Sequence, residues 1–183
     1  MAPISPTEAA DTLRNIETAE RHSSVAYGYR MTAPHLILWG VIWFIGYGGT
    51  WLRPDLGYVW PVLASIGAIG SFAIGYGMAP KAGQRDYRHV LIFFAVFAFI
   101  AAQLAILKPI NNMQIGAYFP ILVAFYYALL GIWIRGTRLL LLGIATSVLT
   151  LAAYFWMPQY FLPWMAIVGG GALLLGGLWL RRA

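Results

Sequence analysis

Chemistry has few places to happen in this chain. It has no cysteine, which excludes disulfides, thiolate nucleophiles and cysteine metal sites. Its three histidines are His22, His35 and His89. His35 and His89 are the second and first residues of two apolar runs that start on the same side of a bilayer. Such a level match is what a bis-histidine haem or a metal pair requires. No His-x-x-x-His spacing and no carboxylate accompanies them, and histidine is at home at a membrane interface. We therefore expect no metal and no cofactor, and keep the His35–His89 pair as a third reading. A Ser–His dyad fares no better, because Ser147 lies deep in an apolar run that no histidine reaches. No catalytic residue is expected, and the chain is expected not to be an enzyme.

The polar groups inside apolar sequence are the next candidates. Gln103, Thr146, Ser147, Thr150, Tyr126 and Tyr127 stand there, and Trp43 lies at mid-run with no interface to occupy. In lipid each hydroxyl or amide needs a partner, and such contacts average about 0.6 kcal/mol. Their first role would be to join neighbouring helices, as in a Tyr–Thr/Ser contact between the fourth and fifth runs. Their second would be to line a pocket between the third, fourth and fifth runs: Tyr126, Tyr127, Thr146, Ser147 and Gln103, with Trp43. The Gly169-Gly170-Gly171 triplet is no phosphate loop, since it lies in apolar sequence without a following Lys-Ser/Thr.

These residues must be positioned by elements that live in lipid. The chain has 183 residues, 61% hydrophobic and 10% charged, with a mean hydropathy of +0.71. A soluble domain runs near 45–50% apolar and about 25% charged, and a core of this size does not hide the excess. Six runs are apolar: 34–52, 59–79, 89–107, 116–134, 139–157 and 161–180. None contains Asp, Glu, Lys or Arg; all 12 basic and 6 acidic residues lie outside them. A 19-residue helix spans about 28 Å, close to a hydrocarbon core of about 30 Å. Continuous rather than alternating apolarity excludes a β-barrel. The expected fold class is an all-α membrane protein with six transmembrane helices. The absence of any Asp, Glu, Lys or Arg in a run argues against a proton-coupled antiporter, a pump or a voltage sensor.

The charges orient the bundle. Arg14, Arg21, Arg30, Lys81, Arg85, Arg88, Arg135, Arg138, Arg181 and Arg182 flank one side, and only Arg53 and Lys108 the other. By the positive-inside rule both termini are cytoplasmic. A net charge of +6 is thus an orientation signal, and no nucleic-acid partner is expected. The outer rim collects Arg53, Asp55, Lys108, Asn111, Asn112, Gln114 and Gln159, read as solvated loop ends.

Residues 1–33 form a cytoplasmic segment with three basic and four acidic residues. Ser5-Pro6-Thr7-Glu8 fits a capping box for a helix over 5–24, with a thin apolar stripe of Ala9, Leu13 and Ile16. This helix would cap the bundle or dock a cytoplasmic protein partner. Arg14, Arg21, Arg30, Arg85 and Arg88 are the candidate contacts to such a partner or to anionic lipid. Residues 34–183 form the bundle. Each even run opens on aromatics and proline (Tyr58-Val59-Trp60-Pro61, Tyr118-Phe119-Pro120, Tyr160-Phe161-Leu162-Pro163), which suggests three tandem hairpins at 34–79, 89–134 and 139–180. Small residues recur every fourth position at Gly67, Ser71, Gly75 and Ala79, a ridge that packs helices within a chain or between copies. A homo-oligomer therefore stays open.

The stretch Ala33-Pro34-His35-Leu36-Ile37-Leu38-Trp39-Gly40-Val41-Ile42-Trp43, preceded by Tyr27-Gly28-Tyr29-Arg30, resembles a group of small six-span bacterial inner-membrane proteins. The resemblance covers roughly residues 14–48. It implies a multi-pass bacterial membrane protein, and carries over no activity and no functional residue. The leading expectation is a non-enzymatic membrane protein that engages a cytoplasmic partner or anionic lipid through its N-terminal helix and basic inner loops. The alternative is a small-molecule binder or passive permease.

Overall fold

A computed structural model describes residues 6–78, 88–109 and 111–182, with residues 6, 88–90, 92, 93 and 97 described by their backbone alone. Among the described residues every regular element is helical. The order is α1 (Pro6–Leu52), a 3₁₀ turn (Pro54–Tyr58), α2 (Val59–Met78), α3 (Arg88–Leu107), α4 (Asn112–Trp133) and α5 (Thr137–Trp156). A second 3₁₀ turn (Pro158–Tyr160) leads into α6 (Phe161–Trp164), a π-helical segment (Met165–Gly170) and α7 (Gly171–Arg181), which run on without a break. Five helical stretches are long and apolar enough to cross a membrane: Thr7–Leu52, Pro54–Met78, Asn112–Trp133, Thr137–Trp156 and Pro158–Arg181. The stretch of α3 that can be judged this way, Phe94–Leu107, is shorter. The chain is thus a bundle of apolar helices compatible with a multi-pass membrane protein. Apart from the helix ends and the carbonyls opposite Pro34 and Pro120, the backbone polarity of each helix is satisfied within it, as lipid demands.

The start of the chain differs from expectation. The helix expected over 5–24 and the run from 34 are one continuous helix of 47 residues, about 70 Å long. It passes through Gly28 and Pro34 without ending. Tyr29, Ala33, Leu36, Gly40, Trp43 and Tyr47 are all buried, a 4-3-4-3-4 spacing that keeps one stripe against the bundle. That packing outweighs the proline, which removes one backbone hydrogen bond. Thr7 to Ser24, by contrast, are exposed throughout, so about 27 Å of helix projects beyond the bundle. Ser5, the expected N-cap, lies outside the described residues.

Glycine decides which helices touch. A Cβ on Gly131 would clash with the Leu140 nitrogen, and one on Gly143 would sit 2.6 Å from the Ala124 carbonyl oxygen. The backbones of α4 and α5 therefore meet directly. On the other side, a Cβ on Gly40 would lie 2.9 Å from the Leu174 nitrogen, and one on Gly177 would lie 2.9 Å from the Ala33 carbonyl oxygen. So α1 lies directly against the π segment and α7. The two closest pairings, α4–α5 and α1–α7, run between the expected hairpins rather than within them. Contacts within each expected hairpin also exist: Trp39 Nε1 donates to Ser71 Oγ (3.1 Å), Tyr118 Oη to Gln103 Oε1 (2.6 Å), and Trp164 Nε1 to the Leu149 carbonyl (3.2 Å).

The ridge on α2 is used only in part. Gly67 lies under Trp39 and Ile42, whereas a Cβ on Gly75 would meet open space, and Ala79 is outside the described residues. Two polar groups mend the backbone. Pro120 sits inside α4 and has no N–H for the Gly116 carbonyl; Tyr47 Oη donates to that oxygen instead, at 2.6 Å. At the basic end, Arg138 donates to the Trp179 carbonyl (2.9 Å) and lies 5.0 Å from the Trp179 ring centroid. It thereby closes the C-terminal turn of α7.

Candidate functional site

The glycine contacts pull α1 onto α7 and α4 onto α5, and α2 packs on α1. Between the α1–α2 pair and α4 this leaves a long open cleft of about 3100 Å³. Ordinary small-molecule pockets hold about 300–1,000 Å³, so the space suits a molecule with a long chain. It runs the length of the bundle, from Ser24 and Tyr27 at the basic end to Asp55, Asn112 and Gln159 at the other. Val96, Phe99 and Ile100 of α3 complete its wall.

Its floor is aromatic. Tyr47 is the hub, edge-on to Trp43 (6.1 Å), Trp60 (4.7 Å) and Phe161 (6.2 Å), in the T-shaped geometry that ring quadrupoles prefer. Several polar handles on these rings are already used. Trp39 is held by Ser71, Tyr47 by Gly116, and Trp60 Nε1 donates to Thr50 Oγ1 at 3.1 Å, which itself donates to the Gly46 carbonyl at 2.8 Å. Trp43 and Tyr127 are different. Both are buried to within a few per cent and both line the cleft. Neither the indole N–H of Trp43 nor the hydroxyl of Tyr127 has a hydrogen-bond partner among the described residues. Half-buried His35 adds an imidazole to the same wall.

Among the described residues the lining contains no Lys and no Arg, and its one carboxylate, Asp55, is spent on Arg53. The Arg53 Nε and Nη2 atoms donate to the two Asp55 oxygens at 3.0 and 2.9 Å. The described walls can therefore take apolar chains and neutral hydrogen-bonding groups, and present no Lys, Arg or free carboxylate to an ionised head.

The residues singled out in the sequence are divided by this geometry. Trp43, Tyr126 and Tyr127 line the cleft. Thr146, Ser147 and Gln103 do not. The pocket expected between the third, fourth and fifth runs has no room between α4 and α5, because Gly131 and Gly143 bring those backbones into contact. Thr150 donates to the Thr146 carbonyl (2.8 Å) rather than to a tyrosine. Thr146 Oγ1 is buried without a partner, and Gln103 is taken up by Tyr118. Arg14 and Arg21 lie on the projecting part of α1, and Arg30 lies where that helix enters the bundle. Arg85 lies outside the described residues; Arg88 and His89 begin α3, and their side chains are outside the description. Among the described residues no group of three or more His, Asp or Glu side chains is gathered to hold a metal ion.

Sequence reasoning missed Trp39, Trp60, Ser71 and His35 as cleft residues. Trp39 and Trp60 pass for interface aromatics, and only the helix pairing turns them inward. Asp55, Asn112 and Gln159, read as loop ends, form one mouth of the cleft.

Comparison with protein-family models, with curated proteins and with solved structures gives no match. No family and no activity is therefore transferred to the chain, and its function is argued from the cleft alone.

Proposed function

We propose that this chain is a six-span, non-enzymatic protein of a bacterial inner membrane, with both termini cytoplasmic, that holds a neutral, chain-bearing amphipathic molecule in its cleft. The α3 helix supplies the sixth span. The ten-to-two division of basic residues supports the orientation. The observation that carries the binding role is the cleft itself: bilayer-deep and aromatic, with no Lys or Arg among its described lining and with the unpartnered donors of buried Trp43 and Tyr127 on its wall. Those donors suit a ligand with a carbonyl or ether oxygen set within the membrane and a tail along the groove. A void this large is never empty in a bilayer, so the question is whether its occupant is selected.

The test is extraction. Protein purified in nanodiscs from native membranes is stripped with organic solvent and the released molecules are identified by mass spectrometry. One neutral species should be enriched over bulk lipid in wild type and depleted in Ala68→Trp, which fills the cleft from α2. Recovery of bulk lipid alone, in bulk proportion, from both proteins would sink the reading.

A second role is favoured by a separate observation. The exposed stretch Thr7–Ser24 is about five turns of α1 with no buried residue, whereas most helical stability in proteins comes from packing one face. A cytoplasmic protein would stabilise it by covering Leu13 and Ile16, which stand 62% and 49% exposed. Deleting residues 1–24 should then remove a co-purifying protein; an unchanged set of co-purifying proteins would end this reading.

A further inference from the structure

The basic end of the bundle contains a second, smaller recess of about 410 Å³, lined by Ala26, Arg30, Pro34, Met78, Leu180 and Arg181. Its construction follows from the closest contact between α1 and α7. Gly177 lies so near the Ala33 carbonyl that a Cβ would come within 2.9 Å. Arg30 is one turn before Ala33 on α1, and Arg181 is one turn after Gly177 on α7. The helices run antiparallel, so the same contact brings both arginines to one end and onto the wall of one recess.

Among the described residues nothing neutralises them there, Asp86 lying outside the description. The acids Glu8, Asp11, Glu17 and Glu20 are all on the exposed projecting part of α1, the nearest of them ten residues from Arg30. The Arg53–Asp55 ion pair is at the opposite end of the bundle. Arg138, the next cation, is already engaged with the Trp179 carbonyl and ring. Two arginines thus line one recess whose other walls are apolar. That combination matches a phosphate with hydrocarbon attached: the forks of Arg30 and Arg181 take the phosphoryl oxygens, and Pro34, Met78 and Leu180 take the glycerol and first methylenes. Pro34 adds one further feature. It has no N–H for the Arg30 carbonyl, so that oxygen is available to a hydroxyl on the headgroup.

We propose that Arg30 and Arg181 form a site for the phosphate of an anionic glycerophospholipid, the kind of headgroup that phosphatidylglycerol carries. The site rests on membrane insertion and not on the identity of the molecule in the cleft.

Native mass spectrometry of the full chain in micelles, titrated with phosphatidylglycerol or phosphatidylcholine, tests this. Wild type should retain one phosphatidylglycerol in preference to phosphatidylcholine. Arg30→Gln or Arg181→Gln should each weaken that preference about five-fold, and the double variant about thirty-fold. Arg182→Gln removes the same charge next to the recess without lining it, and should leave the preference intact. Arg30→Lys/Arg181→Lys keeps the charge without the forks and should hold more of the preference than the double glutamine variant and less than wild type, which separates loss of the site from loss of fold. Inorganic phosphate at millimolar concentration should not displace the lipid. Three results would overturn the proposal. They are no preference in wild type, an equal loss in Arg182→Gln, and displacement by inorganic phosphate, which would make the ligand a soluble phosphate. Ala68→Trp should leave this titration unchanged, so failure here and failure of the cleft reading are told apart.

Discussion

Replacing Tyr47 by Phe removes one oxygen atom and should cost more than an ordinary hydroxyl. The Tyr47 hydroxyl donates to the Gly116 carbonyl at 2.6 Å, and the ring around it is 97% buried, being 3% exposed. Within α4 that carbonyl would accept from residue 120, which is proline. Tyr47 therefore supplies the donor that the helix lacks, and its loss leaves a buried acceptor unsatisfied. Hydrogen bonds in membrane helices are worth about 0.6 kcal/mol on average and about 1.7 kcal/mol at most, and an orphaned buried acceptor costs about 1–3 kcal/mol. We expect Tyr47→Phe to destabilise by about 1–2 kcal/mol. Pro120→Ala restores an N–H at the position that serves Gly116. In that background Tyr47→Phe should cost less than about 0.5 kcal/mol, whatever Pro120→Ala itself costs in lost packing. The coupling between the two sites is then about 1 kcal/mol, within the range of residues sharing one network. Reversible unfolding in mixed micelles measures it. The signal is tryptophan emission, which reports locally because Trp60 lies 4.7 Å and Trp43 6.1 Å from the Tyr47 ring. Equal losses in the two backgrounds would refute the reasoning, since the hydroxyl would then be doing something other than replacing a backbone donor.

Other perturbations separate glycines that matter from those that do not. Gly143→Ala places a methyl 2.6 Å from the Ala124 carbonyl oxygen and the Ala128 nitrogen, so unfolding measurements should show a loss of about 1–3 kcal/mol or more. Gly75→Ala meets nothing within 4 Å and should be neutral or stabilising by up to about 1 kcal/mol, from helix propensity. Arg135 ends α4 in the left-handed region at φ 54°, with the Gly136 N–H donating to the Gly131 carbonyl at 2.8 Å. This is a Schellman turn closed by a residue that has a Cβ. Arg135→Gly should therefore raise stability by about 0.5–1 kcal/mol in the same assay. Arg138→Gln removes both the bond to the Trp179 carbonyl and the ring contact. Hydrogen exchange should then rise selectively in the last turn of α7.

The exclusion of charge from six runs was enough to place the helices along the chain. The run at 59–79 corresponds to Val59–Met78, 89–107 to Arg88–Leu107 and 139–157 to Thr137–Trp156, because a charged residue in hydrocarbon costs kilocalories and so marks a boundary sharply. The first helix extends beyond its apolar run for the same reason. Polar residues before Pro34 mark where lipid ends, but a helix does not end where lipid does, and α1 continues for about 27 residues more.

The candidate site was legible only in part. Trp43, Tyr126 and Tyr127 were noticed because aromatics at mid-depth have no interface to serve, and all three line the cleft. Trp39, Trp60 and His35 line it too, from positions near the ends of their runs where such rings suit a membrane interface. Thr146 and Ser147 stood at the right depth on a helix that faces elsewhere. Depth in the membrane is written in the sequence, because charge and amphipathic rings respond to it residue by residue. Direction around each helix is not, because in lipid every side of an apolar helix is as oily as its neighbours and no polar face marks the outside. That choice falls to shape. Gly131 and Gly143 set α4 on α5, Gly40 and Gly177 set α1 on α7, and the cleft is the space those two contacts leave between them.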